Sequence, residues 1–594
     1  MRKFIGRVLA WIGGITVALF LLVFLVATFA RAGKGKVPGN TILEVNLETS
    51  LAEDAPDDPF AKLRGMDRPT VRDIVESLDK AGSDSRVRGL IARTGSAPMS
   101  LAQVQEIRDA ISAFRAKKKF AVAFAETFGE FGQGNGAYYL ASAFDEIWLQ
   151  PSGDVGLHGL MMQPMFLRGT FDKFGIVPRF DQRYEYKNAM NTYTDRKMTP
   201  PFREAMQKIL DSSYTQLVRG IAAGRQLTEE QVKSAIDNGP HYGKEALDRK
   251  LVDGLAYRDE VYAKVKQKAG AGAEFLWLNR YLDRAGRPNQ KGPTVALIYG
   301  VGAVQRGKSD YDPFSDSGSM GSDTVTAAFR QAIQDEKVKA ILFRVDSPGG
   351  SYVASDAIWR ETMRARKAGK PLIVSMSSVA GSGGYFVAMA ADKIVAQPGT
   401  ITGSIGVLGG KFLLNGLFDK VGVTFDEVHA GKNARMMSTV HDFSPEEWQR
   451  FQHWLDRVYS DFTTKVAEGR RLPKEKVLQL AKGRIWSGED ARQLGLVDEV
   501  GGYPVALKLV KQSLKLKDTD EIDLRVYPKK KTAVEALMAR MGGEERDSSE
   551  SAQAAALLLR TVESVRPAIE TLRQMGIIGA NRDVLTMPEL APIR

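Results

Sequence analysis

A serine enclosed by small residues has the clearest potential for chemistry in this sequence. Ser404 follows the apolar run Lys393–Ala396 and lies in the turn Thr402-Gly-Ser-Ile-Gly406. Gly403 and Gly406 carry no side chain, so a substrate backbone could approach the hydroxyl closely. A nucleophilic serine needs this access, although the same composition is also typical of an ordinary turn that closes a strand. The stretch alone leaves both interpretations open.

A pair of glycines could meet a second requirement of acyl transfer, the stabilisation of an oxyanion. Gly349 and Gly350 come shortly after a predicted strand that ends at Val345. Backbone N–H groups exposed at such a place can hydrogen-bond a developing negative charge. The sequence therefore holds a second element of an acyl-transfer site.

A serine nucleophile also needs a base, and histidine and lysine are the obvious candidates. His429 is the nearest histidine downstream of Ser404 and has Asp426 nearby, but nothing in the sequence fixes a triad geometry. Lysine can act instead when burial lowers its pKa, because the neutral amine then accepts the serine proton. Lys187 and Lys432 both begin a Lys-Asn-Ala motif. Taken alone, either lysine is more typical of a solvated surface residue.

An internal repeat explains why these features occur in pairs. The matching segments, between 245 and 251 positions apart, are Val87–Arg93 with Val338–Arg344, Tyr138–Pro151 with Tyr385–Pro398, Phe171–Gly175 with Phe418–Gly422, Lys187–Ala189 with Lys432–Ala434, Gly224–Leu227 with Gly469–Leu472, and Leu251–Asp253 with Leu496–Asp498. The position of Ser404 corresponds to Leu157 in the first copy. The glycine pair corresponds to Gly95–Met99, where Pro98 has no N–H to donate. The sequence thus predicts one complete acyl-transfer loop, in the second copy.

Each copy alternates short β-branched runs with amphipathic stretches, which is typical of right-handed βαβ units and a largely parallel sheet. In the second copy the predicted strands are Thr294–Tyr299, Lys339–Val345, Pro371–Ser375 and Lys393–Ala396, and the predicted helices are Thr324–Ile333, Ala354–Ala368 and Gly381–Ala391. The predicted regions are an N-terminal anchor over 1–37, a first repeat over 38–285, a second repeat over 294–526 and a tail over 527–594. A Gly/Pro-rich linker separates the two repeats.

Composition restricts the remaining function classes. The 594 residues include no cysteine, which excludes a thiol nucleophile, and five histidines without HxxH spacing, which disfavours a metal site. The net charge of +12 is spread along the chain, and no nucleic-acid recognition motif accompanies it. Val8–Ala30 is an uncharged run that would form a helix about 35 Å long, enough to cross a bilayer. We expect an uncleaved membrane anchor rather than a cleaved signal, with the bulk of the chain exported.

Four motifs together resemble the signal peptide peptidase A (protease IV) family in its long, duplicated form. They are Asp346-Ser-Pro-Gly-Gly-Ser351, Ala380-Gly-Ser-Gly-Gly-Tyr385, Thr402-Gly-Ser-Ile-Gly406 and Tyr186-Lys-Asn-Ala189. The resemblance implies two tandem α/β domains of the crotonase/Clp-protease superfold and a Ser–Lys dyad without metal or cofactor. Carried over by motif, Ser404 is the nucleophile and Lys187 the general base, while the N–H groups of Gly350 and Ile405 hold the oxyanion.

Lys432 stays open as an alternative base, since it survives in the second copy. Tyr186 precedes Lys187 as the family pattern prefers, whereas Gly431 precedes Lys432, which favours Lys187.

The resemblance also implies a setting for the enzyme. Members of the family form a ring, a tetramer in the long form, whose mouth faces the membrane, and they cleave apolar remnant signal peptides. We therefore expect a single-pass protein of the inner (cytoplasmic) membrane with its catalytic domain on the periplasmic side. Two alternatives are a crotonase-type acyl-CoA enzyme and a catalytically silent, membrane-tethered ring scaffold. Exported placement argues against the first, and the complete second copy argues against the second.

Overall fold

The structure, a computed structural model, describes residues 35–54, 69–96, 99–312, 317–528 and 585–587. The predicted anchor Val8–Ala30 and most of the tail lie outside these residues. Within the described residues, no helix combines the length and the hydropathy that a membrane crossing requires.

Strands and helices alternate along both repeats. The strands are β1 Thr41–Asn46, β2 Val87–Arg93, β3 Phe120–Ala125, β4 Glu146–Leu149, β5 Asp154–Val155, β6 Val177–Arg183, β7 His241–Tyr242, β8 Gly254–Leu255, β9 Glu274–Trp277, β10 Thr294–Val301, β11 Ala303–Gln305, β12 Tyr311–Asp312, β13 Ser317–Gly321, β14 Val338–Ser347, β15 Gly349–Gly350, β16 Leu372–Gly381, β17 Lys393–Ala396, β18 Ile401–Gly403, β19 Val407–Leu413, β20 Ile485–Ser487, β21 Glu499–Val500, β22 Asp523–Tyr527 and β23 Leu585–Thr586. The α-helices are α1 Val71–Gly82, α2 Leu101–Ala116, α3 Asn135–Ala141, α4 Arg168–Phe174, α5 Asn191–Thr194, α6 Pro200–Arg225, α7 Glu229–Asp237, α8 Gly243–Asp248, α9 Arg258–Ala269, α10 Leu278–Ala285, α11 Ser322–Gln334, α12 Tyr352–Lys367, α13 Gly383–Ala388, α14 Asn415–Lys420, α15 Pro445–Arg470, α16 Lys474–Leu480, α17 Gly488–Leu494 and α18 Tyr503–Ser513.

Two sheets, one from each repeat, form the framework. The first has the order β8-β4-β3-β2-β1-β9, and its pairs are parallel. The second has the order β20-β18-β16-β14-β10-β22, with β17 paired to β16 and β21 paired to β17. Among these pairs, the β18–β20 pair is the antiparallel one. This is the α/β architecture with largely parallel sheets that the alternation of runs predicts.

The duplication extends to the local signals that set helix ends. The long helices α6 and α15 each have 26 residues, an N-capping hydroxyl and a proline in the first turn. The caps are Thr199 and Ser444, whose side chains accept from the backbone N–H three residues later. Both helices end on a left-handed residue, Gln226 and Arg471.

One hydrophobic core cluster includes buried residues of both repeats. Val295, Leu297 and Leu342 of the second sheet pack in the same cluster of buried side chains as Val104 and Ile107 of α2. Burial of apolar surface at this junction is worth about 25 cal/mol per Å², so the packing holds the repeats in one arrangement.

Most predicted elements of the second repeat are confirmed, with one consequential difference. The strand predicted over Lys393–Ala396 is β17, and those predicted over Thr294–Tyr299 and Lys339–Val345 lie within β10 and β14. The strand predicted over Pro371–Ser375 starts at Leu372 but continues to Gly381, as β16. Helix α13 therefore begins only at Gly383.

Candidate active site

An antiparallel strand pair across the two repeats positions the central lysine. β6 of the first repeat pairs with β19 of the second, with Arg183 opposite Val407. Lys187 follows the end of β6 and Ser404 precedes the start of β19, and these two ends are adjacent because the pair is antiparallel. The geometry brings Lys187 of one repeat to Ser404 of the other.

A turn after α16 holds both partners in place. The backbone N–H groups of Tyr184 and Tyr186 donate to the Lys482 carbonyl, and that of Ser404 donates to the Arg484 carbonyl at 2.7 Å. Between them, Gly483 has φ +84°, and a Cβ there would lie 2.4 Å from Lys187 Cβ. Only glycine fits this contact.

The Lys187 side chain is fully buried, and its amine has three hydrogen-bond contacts. Its Nζ lies 2.6 Å from Ser382 Oγ, 2.8 Å from the Ser404 carbonyl oxygen and 3.0 Å from Ser404 Oγ. Burial lowers the pKa of Lys187 well below its ordinary value of 10.5. The amine therefore loses its proton far more readily than a surface lysine does.

The three contacts suit a neutral amine that acts as a base. A neutral amine has two N–H groups and one lone pair, and the Ser404 carbonyl can only accept, so it takes one N–H. Of the two serine hydroxyls, one accepts the second N–H and the other donates its O–H to the lone pair. Nζ lies closer to Ser382 Oγ than to Ser404 Oγ, which favours Ser382 as the hydroxyl that donates to the lone pair.

Ser382 has the geometry of a nucleophile, the role that the motif resemblance predicts for Ser404. It lies between the end of β16 at Gly381 and the start of α13 at Gly383, with φ 54° and ψ −113°. A non-glycine residue with positive φ is strained, and a sharp strand-to-helix turn of this kind is how many hydrolases present a nucleophilic serine.

Ser404 lies beside Ser382 because their strands pair. Gly381 of β16 is opposite Gly403 of β18, and Ser382 N–H donates to the Gly403 carbonyl at 2.8 Å. Both the carbonyl and the hydroxyl of Ser404 contact Lys187. This arrangement suits Ser404 for orienting the lysine amine.

The glycine pair lies beside the Ser382 turn. β14 and β16 pair in parallel with Ser347 opposite Ala380, which brings the following residues of each strand together. A Cβ on Gly383 would lie 3.0 Å from the Gly350 nitrogen, and one on Gly349 would lie 2.7 Å from the Gly383 nitrogen. The N–H groups of Gly350 and Gly383 are therefore close enough to share one oxyanion, and Gly383 directly follows Ser382 in the chain.

Ile405, the other predicted oxyanion donor, is tied into the Gly483 turn. Its carbonyl accepts from Gly483 N–H at 2.8 Å, and its side chain is buried in the core of the second repeat. Its role as an oxyanion donor stays a prediction, and it would pair with Ser404 rather than with Ser382.

The alternative bases lie away from the site. Lys432 is exposed on the segment after α14. The pKa of Glu446 is lowered first by a hydrogen bond from its own backbone, then by a hydrogen bond from Ser444, and also by the nearby charge of Lys432. His429 is also exposed, and its Nδ1 lies 3.6 Å from Glu427. Neither side chain is in contact with Ser404 in the described part of the chain.

The first repeat has different residues at the two serine positions. Asn135 corresponds to Ser382 at the repeat offset, and its side chain donates to the Gly159 carbonyl at 2.8 Å and accepts from His158 N–H at 3.2 Å. Leu157, which corresponds to Ser404, is fully buried. The loop Gly95–Met99 includes Ala97 and Pro98, which lie outside the described residues.

A comparison with protein families matches this chain twice. The model for peptidase family S49 covers residues 113–272 and 364–517, one match in each repeat. The chain belongs to peptidase family S49.

The regions that match two curated relatives cover most of the chain. It is 32% identical to Protease 4 of Salmonella typhi, over 84% of this chain and 78% of the relative. It is 30% identical to the chloroplastic serine protease SPPA of Arabidopsis thaliana, over 79% of this chain and 69% of the relative. The S49 chain is therefore a serine protease. Among solved structures, a point mutant of ClpP1 from Listeria monocytogenes matches 36% of this chain and 94% of its own, at 14% identity and a TM-score of 0.23.

A buried ion cluster fixes the S49 site between the repeats. Arg344 of β14 is fully buried and bonds Glu53 at 2.9 Å and Glu106 of α2 at 2.8 Å. Burial opposes the charge, but Glu106 and Glu53 raise the pKa of Arg344 well above its usual value. Arg344 also donates to Ser375 Oγ at 2.8 Å, on the strand that leads to Ser382. The cluster therefore fixes this strand against the first repeat.

Asp346 connects the same strand to the loop of Gly349 and Gly350, the candidate oxyanion loop. Its carboxylate accepts from Val379 N–H at 2.9 Å, three residues before Ser382. Burial first, and then Glu53, raise the pKa of Asp346 to about 7. The spacing of the glycine pair and Ser382 thus depends on a carboxyl group that is buried in the S49 core.

A sequence signal for Ser382 was present. The motif Ala380-Gly-Ser-Gly-Gly-Tyr385 places a serine before two glycines at the start of a helix. A strand that ends at Ser375 and a helix over Gly381–Ala391 place Ser382 inside the predicted helix, whereas the structure has it in the turn before the helix.

Proposed function

We propose that this S49 protease is an endopeptidase for apolar peptides that uses Ser382 as nucleophile and Lys187 as general base. One observation carries the assignment: the fully buried Lys187 Nζ lies 2.6 Å from a serine hydroxyl on a strained strand-to-helix turn. Burial supplies the neutral amine, and the turn presents the hydroxyl.

In the proposed reaction, Lys187 accepts the Ser382 proton as Oγ attacks the peptide carbonyl carbon. The N–H groups of Gly350 and Gly383 hydrogen-bond the resulting oxyanion. The lysine ammonium then gives its proton to the leaving amine, and the acyl group stays on Ser382. Lys187 next takes a proton from the water that attacks the acyl carbon, and the ammonium returns this proton to Ser382 Oγ as the acyl–oxygen bond breaks and the second product leaves.

Ser404 orients the amine in this proposal. Its carbonyl and hydroxyl hold the two N–H groups of Lys187, so the lone pair points at Ser382. In the second assignment, taken from the motif resemblance, Ser404 is the nucleophile and Ile405 supplies a donor. The two assignments share the base and differ in which alanine substitution abolishes catalysis.

The preference for apolar peptides is supported by the surroundings of the site. Phe202, Ile401 and Ile485 form a buried apolar cluster, against which Tyr186 and Val379 also pack. Tyr186 directly precedes Lys187, and Val379 lies on the strand that ends at Ser382. Substrate side chains next to the scissile bond would therefore meet apolar surface.

The proposed setting is the cytoplasmic membrane. The uncharged run Val8–Ala30 would anchor the chain, with the catalytic part on the periplasmic side and remnant signal peptides as substrates. A homotetrameric ring is proposed on the motif resemblance alone. Sedimentation with membranes, lost on deletion of residues 1–34, and the mass of the detergent-solubilised protein would test these two points.

The decisive test is hydrolysis of an apolar fluorogenic peptide ester by four variants. Ser382→Ala and Lys187→Ala should lose activity by at least about 10²-fold, because each removes a reacting group. Lys432→Ala should keep wild-type kcat/KM. Ser404→Ala should lose about 10-fold through a less well oriented amine. Full activity of the Ser382→Ala variant together with an inactive Ser404→Ala variant would establish the second assignment instead.

A further inference from the structure

The strand β23, formed by Leu585 and Thr586 in the tail, lies against the oxyanion loop. It pairs antiparallel with β15, so that Gly350 is opposite Leu585 and Gly349 is opposite Thr586. Met587 N–H continues the pairing by donating to the Pro348 carbonyl at 2.9 Å. The glycine pair that should meet a substrate backbone is thus already paired with a segment of the same chain.

The pairing register brings a carbonyl to the proposed oxyanion donors. Hydrogen-bonded positions alternate in an antiparallel pair, so the bond at Met587 makes Leu585 and Gly350 the next bonded pair. A Cβ on Gly349 would lie 1.9 Å from the Leu585 carbonyl oxygen and 2.7 Å from the Gly383 nitrogen. The Leu585 carbonyl therefore lies beside the glycines that would hold the carbonyl of a bound substrate.

The side chains of Leu585 and Met587 fill two buried apolar clusters. Leu585 is fully buried in the core cluster of the second repeat, together with Val304 and Ile405. Met587 is buried in the cluster of Phe202, Ile401 and Ile485, and its Sδ would lie 2.5 Å from a Cβ on Gly381. Residues 585 and 587 point the same way because side chains alternate along a strand.

We infer that the segment Leu585–Met587 is a built-in, substrate-like ligand of the cleft, and that the chain restrains its own protease activity through it. Strand addition gives affinity through main-chain hydrogen bonds, and alternate side chains give specificity. A peptide substrate that needs β15 must first displace β23. The inference rests on the proposed function for its effect on catalysis, but not for the docking itself.

The first test compares two full-length variants. Leu585→Asp places a carboxylate in an apolar site and should release the segment, whereas Val500→Asp makes a similar change on the exposed strand β21, outside the cleft. With the apolar ester as substrate, Leu585→Asp should lower KM at least threefold at unchanged kcat, and Val500→Asp should match wild type. Met587→Asp provides a second variant if Leu585→Asp fails to fold.

The second test separates this inference from the proposed mechanism, because it needs no hydrolysis. A fluorescently labelled peptide of residues 582–590 is titrated into the Leu585→Asp chain and followed by anisotropy. We expect saturable binding of the peptide, which the apolar ester displaces. The affinity should be at least tenfold higher than for the wild-type chain, because there the chain's own segment competes with the peptide. A matched peptide with Asp in place of Leu585 should bind at least tenfold more weakly. Absence of peptide binding, or a KM in both cleft variants equal to that of wild type, would overturn the inference.

Discussion

The two repeats have kept the same supporting contacts and differ at the site. Tyr138 and Tyr385 correspond, and their hydroxyls donate to the Leu251 and Leu496 carbonyls at 2.6 and 2.9 Å. The pairs Arg115–Asp145 and Arg366–Asp392 are similarly equivalent.

The proposed reacting groups, in contrast, are divided between the repeats. The second repeat holds Ser382 and Ser404, where the first has Asn135 and Leu157. The first repeat holds the buried Lys187, where the second has the exposed Lys432. Each repeat thus has the scaffold and contributes one side of the proposed dyad, and the β6–β19 pair brings the two sides together.

The largest expected difference between equivalent residues is that between the two lysines. Lys187→Met should lower kcat/KM by about 10²–10⁴-fold, because it removes the general base while keeping the buried volume. Lys432→Met should change it less than twofold. Steady-state hydrolysis of the apolar ester measures both. Equal losses in the two variants would show that the repeats share the base function.

The buried Arg344 and its partly exposed counterpart in the first repeat should differ in what they contribute to the free energy of unfolding. Arg344→Ala leaves Glu53 and Glu106 uncompensated in the core and should cost about 3–5 kcal/mol of unfolding free energy. Its counterpart Arg93 is a quarter exposed and pairs with Glu48, so Arg93→Ala should cost less than about 1 kcal/mol. Urea unfolding of both variants measures the difference, and similar costs would contradict a special role for the Arg344 cluster.

The pH dependence should report the buried lysine. Only the neutral amine accepts the serine proton, so kcat/KM should rise with pH through the pKa of Lys187, at a midpoint below 10.5. Between that midpoint and 10.5 the unfolded chain binds one more proton than the folded chain. The free energy of unfolding contributed by Lys187 therefore rises with pH in this window. Lys187→Met should lack that rise and Lys432→Met should keep it.

The smallest expected effect tests the shared scaffold. Tyr138→Phe and Tyr385→Phe each remove one buried hydrogen bond to a carbonyl and should each cost about 1–2 kcal/mol. The two costs should agree within about 0.5 kcal/mol if the contacts are equivalent. Thermal unfolding measures them, and a clear difference would show that one repeat depends on this contact more than the other.

The sequence was sufficient for the architecture and for part of the site. Strand β17 has its predicted bounds, and Lys187 meets Ser404 as expected from the motifs. The strand predicted over Pro371–Ser375 stops short of Ser382, because the serines that follow it locally favour a loop. β16 nevertheless continues to Gly381 and includes the hydroxyls of Ser375 and Ser377. The Ser375 hydroxyl accepts from Arg344, and the Ser377 hydroxyl donates to Glu53, which is more than 300 residues away in the sequence. A local pattern cannot show such partners.

The position of the tail strand was equally hidden. Leu585–Met587 has no sequence feature that names β15 as its partner, since main-chain pairing depends on position rather than on residue type.

The most direct measurement of the central claim is the site of covalent labelling by a fluorophosphonate, a reagent that phosphonylates nucleophilic serines. Trypsin cuts after Lys393, so Ser382 and Ser404 fall in different peptides and mass spectrometry separates them. We predict an adduct on the peptide that contains Ser382, absent in Ser382→Ala and in Lys187→Met and retained in Ser404→Ala. An adduct on the Ser404 peptide that persists in Ser382→Ala would contradict the assignment.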